Sequence, residues 1–188
     1  RYIDSMKENC IFLENERGGY MATDYILSLG HTDIAYISGP MYKRDARDRL
    51  QGHQRALSEH GLMFDPALWF EGNFREFGGS DAMHHLLSLN KKFTAVVCAS
   101  DQMASGAIAV CLEQGIKVPE DISFIGYDNI PFPQYISPKL TTVSNPINEM
   151  GKMAALWVLQ HVYKDKKVNV NCSFSPELFV RDSAKSII

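Results

Sequence analysis

Two apolar runs without polar alternation constrain the fold more than any other feature of this sequence. The first, FTAVVCA, covers residues 93–99, and the second, ISFIGY, covers residues 122–127. A strand with apolar side chains on both faces needs a packing layer on each side, which is typical of parallel sheets covered by helices. The two runs therefore predict a sheet that is buried between layers of helices.

The rest of the chain continues the alternation of strands and helices. Shorter strand-like runs stand at residues 10–13, 34–38, 68–70, 140–143 and 174–180. Strands joined by helical segments form right-handed crossovers and pair in parallel. We therefore predict an α/β fold with a doubly wound, mainly parallel sheet. The helices predicted between the strands cover residues 18–29, 46–60, 79–89, 101–115 and 146–163.

Composition and charge exclude several classes of protein. The 188 residues carry a net charge of −3, so the chain has no overall field that would attract nucleic acid. No apolar run approaches the roughly 20 residues that span a bilayer. The four cysteines show no CxxC spacing, which favours buried reduced thiols and indicates no metal site. Because the sequence begins with Arg1 and not with Met, we expect it to be part of a longer protein.

Polar residues and one aromatic residue follow the predicted strands. In an open parallel sheet, ligands bind beyond the carboxyl ends of the strands. Carboxylates accept hydrogen bonds from hydroxyl groups, a guanidinium donates them, and an aromatic ring covers the C–H face of a pyranose. This set suits a neutral polyol such as a sugar. The residues at these strand exits include Asp45, Arg49, Phe74, Ser100, Asp101, Asp128 and Asn145.

Several of these residues also have a purely structural explanation. Asp101 stands where a helix begins, so a helix-capping role is the simpler interpretation for it, and Ser100 fits either role. Arg49 lies in the charged run KRDARDR, which is typical of a solvated helix face. Asp128 follows an apolar strand and precedes no good helix, so we favour a ligand contact for this residue.

The remaining alternatives concern packing and catalysis. Phe74 has a default role in core packing, and Asn145 can simply initiate the last helix. Two carboxylates such as Asp101 and Asp128 can hydrolyse glycosides at a suitable separation. However, nothing in the sequence marks an acid with a raised pKa, and no GxSxG or HExxH motif occurs. Neither GxGxxG nor GxxxxGK[ST] is present, so we expect neither an enzyme nor a nucleotide or other cofactor.

Six segments, in order along nearly the whole chain, form a pattern that is more specific than any single motif. Together they resemble the LacI/GalR family of bacterial transcription regulators, and the segments around FTAVVC and ISFIGYDNIPFPQY most resemble its galactose-regulator branch. The six segments are GHTDIAYISGP (30–40), RLQGHQRALSEHG (49–61), FTAVVCASDQMASGAIAV (93–110), GIKVPEDISFIGYDNIP (115–131), PKLTTVSNPINEMGKMAA (138–155) and PELFVRDS (176–183).

The resemblance implies a two-lobed, sugar-sensing domain of the type I periplasmic-binding-protein kind. Residues 14–145 and 166–188 would form the carboxy-terminal lobe, and residues 1–13 and 146–165 a remnant of the amino-terminal lobe. The helix-turn-helix headpiece of the family is not in this sequence. The resemblance implies that a sugar binds between the lobes and thereby changes operator affinity. With one lobe incomplete, we expect this sequence alone to bind sugar poorly.

The family's effector contacts carry over to individual positions. Arg49 and Asp128 match the residues that hold sugar hydroxyls, and Phe74 falls at the position of an aromatic lid. Asn145 matches a polar position near the lobe crossing. Ser100 replaces the usual Asn, so a water molecule is expected to bridge to a hydroxyl that Asn contacts directly in relatives.

The resemblance also implies partners and leaves one rival function. Met103 and Tyr135 match positions at which relatives form homodimers, although both also fit core packing. Operator DNA would be bound through the headpiece, in the cytoplasm and without a membrane. The rival is a sugar-binding component of a transport system with the same fold, and the presence of a headpiece in the full gene distinguishes the two.

Overall fold

The computed structural model describes residues 9–131, 137–163 and 169–188. Within these ranges the chain alternates between β-strands and α-helices, as the sequence predicts. The elements are β1 Phe12–Leu13, α1 Asn15–Ser28, β2 Ile34–Ser38, α2 Arg44–Glu59, β3 Trp69–Glu71, α3 Glu76–Ser88, β4 Ala95–Cys98, α4 Asp101–Glu113, β5 Ser123–Asp128, β6 Thr141–Ser144, α5 Ile147–His161, β7 Ser173–Phe174 and β8 Leu178–Phe179.

The main sheet has six strands in the order β3-β2-β4-β5-β6-β8. The first five are parallel to one another, and β8 is antiparallel to β6 at one edge. The short strands β1 and β7 form a separate parallel pair. The predicted α/β class with a mainly parallel sheet is therefore confirmed.

The central strands are apolar because helices cover both of their faces. Every residue of β2 and β4 is buried, and so are the first five residues of β5. The connection through α2 leads from β2 to β3, whereas α3 carries the chain back across β2 to β4. Right-handed crossovers in opposite directions place their helices on opposite faces of the sheet. The direction in which the chain crosses the sheet reverses between β2 and β4. The crevice at the carboxyl ends of these two strands is therefore the expected place for a ligand.

The helices pack as two pairs whose backbones touch at glycines. A Cβ atom at Gly19 of α1 would lie 2.0 Å from the carbonyl oxygen of Arg49 in α2. A Cβ at Gly106 of α4 would lie 1.9 Å from the carbonyl oxygen of Glu76 in α3. Any side chain at these positions would force the two helices apart. The glycines therefore fix the separation of α1 from α2 and of α3 from α4.

The structure corrects the predicted interface role of Met103. Its side chain is fully buried in the core, beside the close approach of α3 to α4, and so it cannot reach a partner chain. The second predicted interface residue, Tyr135, lies outside the described residues. In contrast, α5 buries none of its side chains. No helix among the described residues is long and apolar enough to span a bilayer.

The glycine contacts can be tested with alanine. Gly106→Ala should destabilise the protein by about 2–3 kcal/mol, because the added methyl group overlaps backbone atoms of α3. Gly151→Ala is the matched control, since Gly151 also lies within a helix but has no described atom within 4 Å of the added Cβ. The control should be neutral or stabilising by up to about 1 kcal/mol. Urea denaturation gives both values, and equal effects of the two changes would contradict the packing role.

Candidate ligand-binding site

A buried arginine lies at the carboxyl ends of β4 and β5. Arg49 projects from α2, and only 4% of its surface is exposed. Its Nε donates to Oδ1 of Asn15 at 2.8 Å, and its Nη1 donates to the carbonyl oxygen of Ala99 at 2.6 Å. The same Nη1 lies 3.4 Å from Oδ1 of Asp128. The guanidinium therefore joins α1, the end of β4 and the end of β5.

Asp128 and Asn145 complete this polar cluster. The side-chain amide of Asn145 donates to Oδ1 of Asp128 at 3.1 Å, and its backbone N–H donates to the Asp128 carbonyl at 3.3 Å. Burial raises the pKa of Asp128 above its usual range, while Arg49 and Asn145 act in the opposite direction. The sequence placed Arg49, Asp128 and Asn145 at one sheet edge, and the structure brings all three into contact.

Two aromatic rings flank the guanidinium. The Cζ atom of Arg49 lies 3.6 Å from the ring centroid of Tyr127 and 5.8 Å from that of Phe74. The ammonium of Lys43 lies 5.2 Å from the Phe74 centroid. The Phe74 ring also rests on Gly39, where a Cβ atom would overlap the ring. Phe74 therefore lies beside Arg49, where a ring can cover a ligand.

Backbone strain concentrates at the same edge. Among the described residues other than glycine, only Phe74, Asp128 and Asn129 have positive φ, with values of 64°, 108° and 51°. Each such conformation costs on the order of 1–3 kcal/mol, and strained residues are often found at binding sites. Asp128 is the last residue of β5, and Asn129 and Phe74 follow the ends of β5 and β3 at the carboxyl edge of the sheet.

An open cleft of about 920 Å³ lies beyond this edge. Its walls include four polar residues of the cluster, namely Asn15, Asp45, Arg49 and Asn145. The carboxylate of Asp45 accepts from the Asn15 amide at 3.4 Å. Asp128 and Phe74 are not among the wall residues, but both lie next to the wall residue Arg49. Among the described residues, no three His, Cys, Asp or Glu side chains are grouped so that they could hold a metal ion.

The structure gives the helix cap to Ser100 and not to Asp101, for which the sequence favours it. Ser100 caps α4, because its hydroxyl accepts from the Met103 N–H at 3.3 Å, and its water-bridged contact with a sugar stays a prediction. Asp101 is the first helical residue and does not cap the helix. Its carboxylate instead accepts from the Thr142 hydroxyl and, at 2.9 Å, from the N–H of Ile130. Asp101 thus ties α4 to the loop after β5 and to β6.

Sequence reasoning missed two residues of the cluster. Asn15, which orients Arg49, directly follows the strand exit at β1, so the strand-exit rule applied to residues 10–13 would have found it. Tyr127 lies in an apolar strand, and no sequence signal distinguishes its ring from core packing. Burial raises the pKa of Tyr127 to about 12, so it is neutral beneath the guanidinium.

Comparison with known proteins identifies relatives along nearly the whole chain. Residues 23–184 match the family described as periplasmic binding protein-like domain. The transcriptional repressor PurR of Vibrio campbellii is 38% identical over 185 residues, which cover 98% of this chain and 55% of PurR. The regulator GalR of Escherichia coli K12 is 38% identical over 186 residues, which cover 99% of this chain and 54% of GalR. The chain thus spans about half the length of these curated relatives.

Solved structures agree with the sequence comparison. A LacI-family sugar-binding regulator from Escherichia coli, complexed with phosphate, superimposes with a TM-score of 0.92 at 28% identity and covers 99% of this chain and 66% of its own. The CelR–cellobiose complex, also of a transcriptional regulator, has a TM-score of 0.84 at 33% identity and covers 95% of this chain and 55% of its own.

The fold and its polar edge define a ligand-binding region of the periplasmic-binding-protein-like class. Within that class, the chain belongs to the LacI/GalR family of transcriptional regulators, as the sequence segments indicate. Because PurR and GalR are equally similar to the chain, its assignment to the galactose-regulator branch stays a prediction.

Asp101 should make stability depend on pH. Burial raises its pKa to about 7 in the folded protein, whereas an unfolded aspartate titrates near about 4. The folded state therefore binds the proton more tightly, and the resulting stability is complete below about pH 4 and is lost as the pH rises through about 7. Relative to Asp101→Asn, the native protein should lose on the order of 1–3 kcal/mol between pH 5 and 8. Urea denaturation across this range tests the prediction, and a pH-independent difference would contradict it.

Proposed function

We propose that this chain is the sugar-sensing, effector-binding region of a transcriptional repressor. The observation that carries the proposal is the contact of Arg49, Asp128 and Asn145 at the carboxyl edge of the sheet. This arrangement offers donors and acceptors within a few ångströms of one another. Such alternation suits adjacent hydroxyl groups, which donate and accept at the same time.

The cluster leaves specific atoms for a ligand. Nε and Nη1 of Arg49 donate to Asn15, Ala99 and Asp128, and no acceptor for Nη2 is present among the described residues. The second carboxylate oxygen of Asp128 likewise receives no hydrogen bond from a described residue. A sugar hydroxyl can accept from Nη2 of Arg49 and donate to a carboxylate, while Phe74 covers the C–H face of the ring.

The relatives support a regulator over the rival transport component. PurR is named as a repressor and GalR as a transcriptional regulator, and CelR is a transcriptional regulator that holds cellobiose. We therefore infer that the protein senses a galactose-like or related sugar and does not catalyse a reaction on it. Residues 1–13 and 146–165 would belong to an amino-terminal lobe, and residues 14–145 and 166–188 to the carboxy-terminal lobe.

The proposed mechanism is a shift between two lobe orientations. A sugar held between the lobes favours one orientation, and the headpieces of a cytoplasmic homodimer match the operator half-sites in only one state. A coupling of about 1–3 kcal/mol is enough for a 5- to 150-fold change in operator affinity. The headpiece would come from a part of the protein outside this chain.

The sugar contact predicted for Asp128 can be measured by calorimetry. Asp128→Ala should weaken sugar binding by roughly a hundredfold, because a charge-assisted contact is lost and Arg49 loses its carboxylate partner. The matched control is Asp33→Ala, which removes an exposed carboxylate just before β2, at the opposite edge of the sheet. Titrations of galactose, ribose and cellobiose into the full translated product of the gene give the affinities. Equal affinities of the Asp128 variant and the native protein would remove Asp128 from the site.

The regulatory role needs a separate measurement. The full translated product should bind DNA from upstream of its target genes, and the sugar identified by calorimetry should change that affinity. Electrophoretic mobility shifts with and without the sugar provide this test. A product that binds sugar but no DNA and is exported from the cell would instead be the transport component.

A further inference from the structure

The charges that line the cleft are balanced. Among the described residues of its walls, four arginines face four carboxylates. Next to the wall residue Arg49, Asp128 adds one negative charge, and Lys43 beside Phe74 adds one positive charge. The cleft therefore has no excess of positive charge that would attract an anion.

Two of the wall arginines, Arg17 of α1 and Arg55 of α2, pair with carboxylates at the start of α1. Nη1 of Arg17 lies 3.3 Å from Oε2 of Glu14, and it also donates to the Ser175 hydroxyl. Nη1 of Arg55 makes a short ion pair with Glu16. An anionic ligand would have to displace a carboxylate from one of these arginines and would remain close to that carboxylate afterwards.

The other two wall arginines, Arg44 and Arg49 of α2, are also paired with carboxylates. Nε of Arg44 lies 3.2 Å from Oδ2 of Asp48, and Nη1 of Arg49 lies 3.4 Å from Oδ1 of Asp128. The fourth wall carboxylate, Asp45, is held by a neutral amide and leaves its negative charge facing the cleft. The most buried cation of the site, Arg49, is therefore paired with Asp128 and is connected to Asp45 through the Asn15 amide.

The positive ends of the two helix dipoles at the cleft, at the N-termini of α1 and α2, are also balanced by carboxylates. A helix N-terminus attracts anions through its unpaired N–H groups and its dipole. The first turn of α1 contains Glu16, and the first turn of α2 contains Asp45. These carboxylates already occupy the favourable position for negative charge at both helix ends.

We propose that the cleft selects its effector by charge: it accepts uncharged sugars and rejects their phosphate esters and uronic acids. This inference rests on the proposed sugar-binding function. A neutral hydroxyl group can bridge an arginine and a carboxylate without separating them, whereas a phosphate or carboxylate group competes with the acidic partner. Binding of the accepted sugar is therefore nearly independent of ionic strength.

Calorimetry with matched ligands tests the proposal on the full translated product of the gene. The ligands are galactose, galactose 6-phosphate, galacturonate, ribose, ribose 5-phosphate and cellobiose, each at 50 and 500 mM NaCl. At least one neutral sugar should bind, with less than about a twofold change in Kd between the two salt concentrations. The charged derivatives should bind at least about tenfold more weakly than the parent sugar.

A charge-neutralising variant tests the cause of the discrimination. Glu14→Gln leaves Arg17 without its carboxylate and should strengthen binding of the phosphate ester about tenfold relative to that of the parent sugar. Glu113→Gln makes the same change of net charge at an exposed position at the end of α4 and should leave ester affinity unchanged. No gain from Glu14→Gln, or an equal gain from both variants, would overturn the pairing argument.

The outcomes separate the inference from the function on which it rests. If a phosphate ester or uronic acid binds more tightly than the parent sugar, the charge selection is wrong but the sugar-sensing function stands. If none of the sugars or derivatives binds, the sugar-sensing proposal fails and takes the inference with it.

Discussion

The buried guanidinium of Arg49 is the interaction on which the rest of the site depends. A charge in this position is costly unless it is paired and its hydrogen-bond donors are satisfied. Asn15 and Ala99 accept from it, Asp128 supplies the opposite charge, and the Tyr127 ring lies against its face. These partners come from the start of α1 and from the ends of β4 and β5. The position of one side chain therefore requires that three parts of the fold meet at the carboxyl ends of β4 and β5.

The sheet and the core of the site could be predicted from sequence because one physical rule governs both. Strands buried on both faces are continuous apolar runs, and parallel strands bring their carboxyl ends to one edge. Arg49, Asp128 and Asn145 were found by this rule and are in contact in the structure. Asn15 stands at the exit of the strand-like run at residues 10–13, to which the same rule applies.

The incorrect predictions concern positions at which a shift of one residue along the chain, or the orientation of one side chain, decides the role of the residue. Ser100 and Asp101 are neighbours at the junction of β4 and α4, and both residue types cap helices well. Which of them caps depends on where the first helical turn begins, which the sequence pattern does not determine. Met103 shows the same limit: its position in the family segment was recognised, but the face on which its side chain lies depends on the packing of α3 against α4.

The packing of the helices also indicates which part of the site can respond to a ligand. Gly19 holds the backbone of α1 against that of α2 at Arg49 itself, so the guanidinium and Asn15 are carried by one rigid helix pair. Asn145 differs: it is bonded to Asp128 but immediately precedes α5, which buries none of its side chains. A ligand that binds Arg49 and Asn145 together therefore connects a fixed part of the carboxy-terminal lobe to the helix that we propose to belong to the amino-terminal lobe. Movement coupled to binding is expected at the junction of β6 and α5, because a shift of α1 against α2 would bring backbone atoms into overlap.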